Sequence, residues 1–205
     1  VADLTKSYAK QLQSSIEKID QMSLIMARVV SAGKNNATDQ IFQELPSYDW
    51  FHPLLIDQNG LVRSAPTSTP IGTSVAAARF FQNHRASSAA ELTINPPEPG
   101  VGSLAGKQVV RFSRRISDAY GQFAGVITLS MPQEKFTVLG DVIGLANGDV
   151  IGVKYTDGDT LIRHDIGYRF SRDDLKLFSS TNAARNFAEV RVTGDLMYAS
   201  WFKLD

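Results

Sequence analysis

The sequence predicts an α+β fold, a long N-terminal helix followed by two subdomains built on antiparallel sheets. Three observations predict it. Residues 3 to about 31 contain no Gly or Pro and repeat apolar side chains every three or four positions, the periodicity of an amphipathic helix. Farther on, strand-like runs are joined by short turn signals, as in LLIDQNGLVR and in KQVVRFSRRISDAYGQFAGVITLSM, which is hairpin chemistry. The plan of LLIDQNGLVR then returns in VIGVKYTDGDTLIR, with β-rich residues, a Gly-containing turn, an apolar pair and an arginine; it is either a chance recurrence of turn chemistry common to many sheets or the mark of two related β-rich subdomains on one helix.

In the helix the stripe is Leu4, Tyr8, Leu12, Ile16, Ile19, Met22, Met26 and Val29, and Gly33 with the KNNATD run ends it. At about 1.5 Å per residue it is on the order of 40 Å long, too long to be buried on one small sheet alone. It either packs along its own domains or also pairs with a second subunit. IFQELPSYDWF suggests a short helix and a turn, PLLIDQNGLVRSAP a hairpin with an Asn-Gly turn, and PTSTPIG a loop. SVAAARFFQNHR reads as a helix started by Ser74, with Val75, Arg79 and Phe80 on one side. The prolines and glycines of INPPEPGVGSLAG predict loop or irregular edge structure. A short helix is expected from Gln133 to about Leu139, another over RFSRDDLKLFSS, and two strands around Thr193 to Asp195.

Composition removes several classes of function. The 205 residues are 43% hydrophobic, enough for a core. With 21 basic and 21 acidic residues there is no diffuse positive field, and no basic run is longer than Arg114 and Arg115, so nucleic acid is not an expected partner. The absence of cysteine excludes thiol nucleophiles, thiolate metal sites and disulfides. No apolar run approaches the roughly 18 residues of a membrane span, and no signal-peptide pattern opens the chain. Val1 is not an initiator methionine, so the chain is expected to be a piece of a longer, membrane-anchored protein.

The run Lys107 to Met131 carries the unusual chemistry. Alternation along its first strand puts Val109, Arg111, Ser113 and Arg115 on one face and Val110, Phe112, Arg114 and Ile116 on the other. One face thus bears two guanidinium groups and a hydroxyl.

In order along the chain, a long helix, LLIDQNGLVRSAP, PIGTSVAAARFFQNH, the Lys107 to Met131 hairpin and the DGDTLIR hairpin resemble the double Cache sensor domains, tandem PAS-like modules that lie outside the membrane in bacterial receptors. The resemblance spans nearly the whole chain. It implies a helix and connection over residues 1–39, a membrane-distal PAS-like subdomain over 40–139 with the ligand pocket, and a smaller proximal one over 140–205. It implies a periplasmic or extracellular location, anchoring through segments outside the chain and a homodimer in the intact protein. The implied output is a histidine kinase, a diguanylate cyclase or phosphodiesterase, or a chemotaxis signalling domain. In amino-acid-binding members an arginine stands two residues before the first of an aromatic pair, and an aspartate on the later strand takes the ammonium. Here the pair is Phe80 and Phe81, the arginine's place is held by Ala78 and the aspartate's by Ser130. An α-amino acid would lose both charged partners, at a cost of several kcal/mol for each unpaired buried ion, on the order given for such groups.

Phe80, Phe81, His84, Arg111, Ser113, Arg115 and Ser130 are the candidate ligand-binding residues. His84 follows Phe80 by four positions, which on a helix turns both to one side. Two arginines, a histidine and an aromatic wall suit a carboxylate or another small anion. The competing reading is that His84 closes a helix and the arginines make surface ion pairs with Asp118 or Glu91. For the whole chain the alternative to sensing is a structural or dimerisation module. No cofactor or metal is expected: His52, His84 and His164 have no paired ligand spacing, the catalytic motifs G-x-S-x-G and H-E-x-x-H are absent, and Asp157-Gly158-Asp159 is a turn rather than a calcium loop. An enzyme is accordingly not expected.

Overall fold

The computed structural model describes residues 2–32, 51–65, 70–136, 150–154, 161–165, 187–192 and 195–200. Helix α1 runs from Ala2 to Ser31, the span its periodicity predicts. Of the stripe, Tyr8, Leu12, Ile19 and Met26 are buried, joined by Ala9, Ala27 and Ser23, whereas Leu4 is exposed. The chain divides into two compact units, Glu17–Phe136, and Val1–Ile16 with Thr137–Asp205.

The Glu17–Phe136 unit is a five-stranded antiparallel sheet in the order β2-β1-β5-β4-β3. Its strands are β1 (His52–Asp57), β2 (Val62–Ser64), β3 (Thr93–Pro99), β4 (Gln108–Ser117) and β5 (Phe123–Pro132). Helix α2 (Arg79–Ala86) joins β2 to β3, and a short helix α3 (Gln133–Phe136) follows β5. The Asn-Gly turn and the Asp118 to Gly121 break fall where expected. Asp57 Oδ1 accepts from the amides of Asn59 and Leu61, and Asp118 Oδ1 from those of Tyr120 and Gln122. Each aspartate thereby satisfies the turn's backbone donors.

Two expectations are corrected. The helix does not start at Ser74 but at Arg79, with Ala78 at its N-cap position and no side-chain cap. The backbone of residues 74 and 75 is already committed elsewhere: Ser74 bridges Leu61, and the Val75 amide donates to the Gly60 carbonyl. The proline-rich run is more regular than expected, since Thr93–Pro99 is a strand. It is an edge strand, and its register shifts between Asn95 and Glu98, so Pro96 and Pro97 sit where no ladder bond is lost. The helix and turn expected over 41–50 and the helix over RFSRDDLKLFSS lie outside the described residues, as do residues 155–160 with the Asp157-Gly158-Asp159 turn.

Below the α2 side of the sheet, Leu54, Ile56, Val62, Val75, Phe80, Phe81 and Val126 form an apolar cluster. Gly60 matters to it. Its φ is 82°, and a Cβ there would lie 2.6 Å from the Cα of Ala76. Gly60→Ala is therefore expected to cost on the order of 2 kcal/mol, from the left-handed backbone and the contact together; a lowered urea midpoint at unchanged slope checks it.

On the other side, the second half of α1 meets the sheet through Arg114. Its Nε donates to Ser23 Oγ at 2.8 Å, and its terminal nitrogens bond the Ala90 carbonyl and the Asp20 carboxylate. Ser31 Oγ donates to the Ser117 carbonyl at 2.8 Å. Phe112 packs against Phe136 of α3 with ring centroids 6.0 Å apart.

In the other unit, β6 (Val150–Lys154) pairs antiparallel with β7 (Leu161–Asp165), and β8 (Phe187–Val192) with β9 (Asp195–Ser200). Both strand pairs were expected from the sequence.

Candidate ligand-binding site

The alternation in β4 holds. Arg111 stands opposite Ser130, Ser113 opposite Thr128 and Arg115 opposite Val126 in the β4–β5 ladder, so these six side chains share one face. Leu54 of β1 lies on the other side of Thr128 in register. Over this face runs α2, which brings Phe80 and His84.

Six of the seven expected residues meet here. Arg111 lies 4.3 Å above the Phe80 ring, donates from Nε to Ser130 Oγ at 3.1 Å, and is ion-paired with Glu98. The Ser113 hydroxyl is 2.8 Å from His84 Nε2 and accepts from Asn95 Nδ2 at 2.8 Å. Arg115 donates from Nη1 to the His84 carbonyl at 2.8 Å and from Nε to Ser117 Oγ at 3.2 Å, and lies 4.8 Å above the Phe123 ring. The seventh, Phe81, is fully buried in the same apolar cluster as Phe80, with its ring edge-on to Phe123 at 5.5 Å.

The arginines are not surface groups. Arg111 is 2% exposed and Arg115 8%, and neither pairs with Asp118 or Glu91: the first is bound by Glu98, and the second has no acidic partner among the described residues. Burial pushes the Arg111 guanidinium down to about 10, which still leaves it charged at neutral pH. Glu98, Asn95 and Thr128 were not expected from the sequence. Thr128 is fully buried, and its Oγ1 has no hydrogen-bond partner among the described residues.

His84 is held below its usual value of 6.5, chiefly by burial, which a hydrogen bond to the Ser113 backbone opposes and the charges of Arg115 and Arg114 reinforce. The folded protein thus binds this proton less tightly than the unfolded chain. Stability is fully present above about pH 6.5 and is lost as pH falls through the folded value. Thermal unfolding between pH 7.5 and pH 5 should show a falling Tm, with a shallower slope in His84→Gln. His52 is lowered by burial and by Lys107, so His52→Gln should flatten the slope further.

No family model and no curated protein matches the chain. Solved structures do. The extracellular domain of rpHK1S-Z16, a protein assigned as a histidine kinase, is 18% identical with a TM-score of 0.73, covering 97% of this chain and 85% of that one. The ligand-binding domain of the Campylobacter jejuni chemoreceptor Tlp3, in complex with 4-methylisoleucine, is 12% identical with a TM-score of 0.70 over 96% of this chain and 82% of that one. The ligand-binding domain of the Pseudomonas aeruginosa amino-acid chemoreceptor PctB, in complex with L-Arg, is 15% identical with a TM-score of 0.68 over 97% and 84%. The chain has the fold of these extracellular and ligand-binding domains, which is the fold that the sequence resemblance implied. Among the described residues no helix is long and apolar enough to cross a membrane.

Proposed function

We propose that the chain is the extracytoplasmic small-molecule sensing module of a membrane-bound signalling protein. The observation that carries this is the convergence of Phe80, His84, Arg111, Ser113, Arg115 and Ser130 on one buried polar face of the sheet. Its support is a fold shared with receptor domains solved with ligands bound. The distal subdomain, residues 40–139, takes the ligand on that face; the proximal subdomain, 140–205, lies toward the membrane. Segments outside the chain anchor it, the intact protein is a homodimer, and a kinase, cyclase or chemotaxis domain reads the signal inside. The module itself carries out no catalysis. Ligand contact shifts the β4–β5 hairpin against α1, which is joined to β4 through Arg114, and so biases two states of the receptor.

Amino acids are the ligands of several neighbours, but Ala78 and Ser130 supply neither charge that such a ligand needs. A thermal-shift screen of metabolites tests the reading: a specific compound should raise the Tm in proportion to the logarithm of its concentration above its Kd. A complete metabolite library without one stabilising compound would contradict it.

A further inference from the structure

The charges facing the site do not cancel. Arg111 is neutralised by Glu98, Arg114 is on the opposite face with Asp20, and Asp57 is taken by Arg63. Asp118 is occupied by the amides of its own turn. Arg115 remains, buried, with its Nη1 and Nε donors on a carbonyl and a hydroxyl and no carboxylate among the described residues. A buried cation without a counter-charge is costly, and so is a buried hydroxyl without a partner. Thr128 is that hydroxyl. It lies across the ladder from Ser113 and diagonal to Arg115, a spacing of about 7–8 Å between backbones that one small molecule can bridge.

We propose that the polar face binds a small monocarboxylate, one oxygen accepting from the Thr128 hydroxyl and the carboxylate facing the Arg115 guanidinium. This rests on the sensing reading above and names its ligand class. Both uncompensated groups are satisfied by the same anion: the hydroxyl gains an acceptor and the guanidinium a counter-charge. The charge count sets the selectivity. Among the described residues Arg115 is the one cation on this face without a carboxylate, so a second carboxylate on the ligand would meet no partner there. An ammonium would find Glu98 already bound to Arg111 and Arg115 repelling it. Phe80 and Phe123, under the two guanidinium groups, leave the rest of the ligand an apolar surrounding.

The test uses acetate, propionate, pyruvate and L-lactate against the 205-residue chain, with acetamide, propionamide, succinate and L-isoleucine as controls, by titration calorimetry and thermal shift. At least one monocarboxylate should bind and raise the Tm, while its amide should not. Thr128→Val should move two readouts in opposite directions. Without ligand its Tm should rise, because the unsatisfied hydroxyl is gone; its affinity for the monocarboxylate should fall about tenfold, the worth of one hydrogen bond to a charged group. Thr128→Ser should restore binding, and Arg115→Gln should lose it. Equal binding of acid and amide, or unchanged affinity in both Thr128→Val and Arg115→Gln, would overturn the assignment. Binding of isoleucine or neutral compounds alone would overturn it and leave sensing intact, whereas failure of every compound in the wider metabolite library removes both.

Discussion

Glu98→Ala is expected to destabilise the protein by about 3–5 kcal/mol, the cost of leaving a buried cation without its partner. Arg111 has a side chain only 3% exposed, and its carboxylate partner comes from Glu98. Removing the carboxylate leaves the guanidinium with Ser130 Oγ and the Phe80 ring, neither of which carries a negative charge. Placing Arg111→Met in the same background should recover at least half of the loss, because the apolar side chain has no charge to desolvate. Urea unfolding of the two single variants and the double variant measures this coupling directly. A loss under about 1 kcal/mol in Glu98→Ala would mean that water reaches Arg111 and that the pair behaves as an exposed one.

Arg114→Ala should cost about 2–4 kcal/mol through a different route. Arg114 is 5% exposed and ties β4 to Ser23, Asp20 and Ala90. Truncation strips the fully buried Ser23 hydroxyl of this donor, although Ser23 still donates to the Asp20 carbonyl, and it removes a long side chain from between helix and sheet. Asp20 is more exposed, so its stranded charge adds little. Hydrogen exchange separates the effect from global loss: amides of residues 17–31 should lose protection before those of β5. Uniform loss across the sheet would show that Arg114 is not a tether between the two.

The helix and the strand faces were legible because each rests on a period. Nothing but alternation was needed to put Arg111, Ser113 and Arg115 together and to send Arg114 to the other side. The turns at Asn59-Gly60 and Asp118 to Gly121 were legible from local backbone demands. Less visible was anything that depends on which strand lies next to which. Glu98 follows two prolines in a run that reads as irregular, and only the shifted register of β3 beside β4 brings it to Arg111. Thr128 is an ordinary strand residue in the sequence, and its isolation appears only when Ser113 is found spending its hydroxyl on His84 and Asn95. Phe80 and Phe81 look equivalent as a pair and both enter the apolar cluster, yet about 100° of helix turn lets Phe80 meet Arg111 and Phe81 meet Phe123. The late start of α2 was not legible, because Ser74 is a good local cap in the sequence and its bridge to Leu61 exists only in the folded chain.

The most direct test of a ligand site on this face is amide chemical-shift mapping on the isotopically labelled chain, titrated with the compound that gives the largest thermal shift. Saturable shifts are expected at Ser113, Arg115 and Thr128 and along α2, with smaller ones reaching Ser23. Shifts confined to residues outside β4, β5 and α2, or none at saturating concentration, would contradict it.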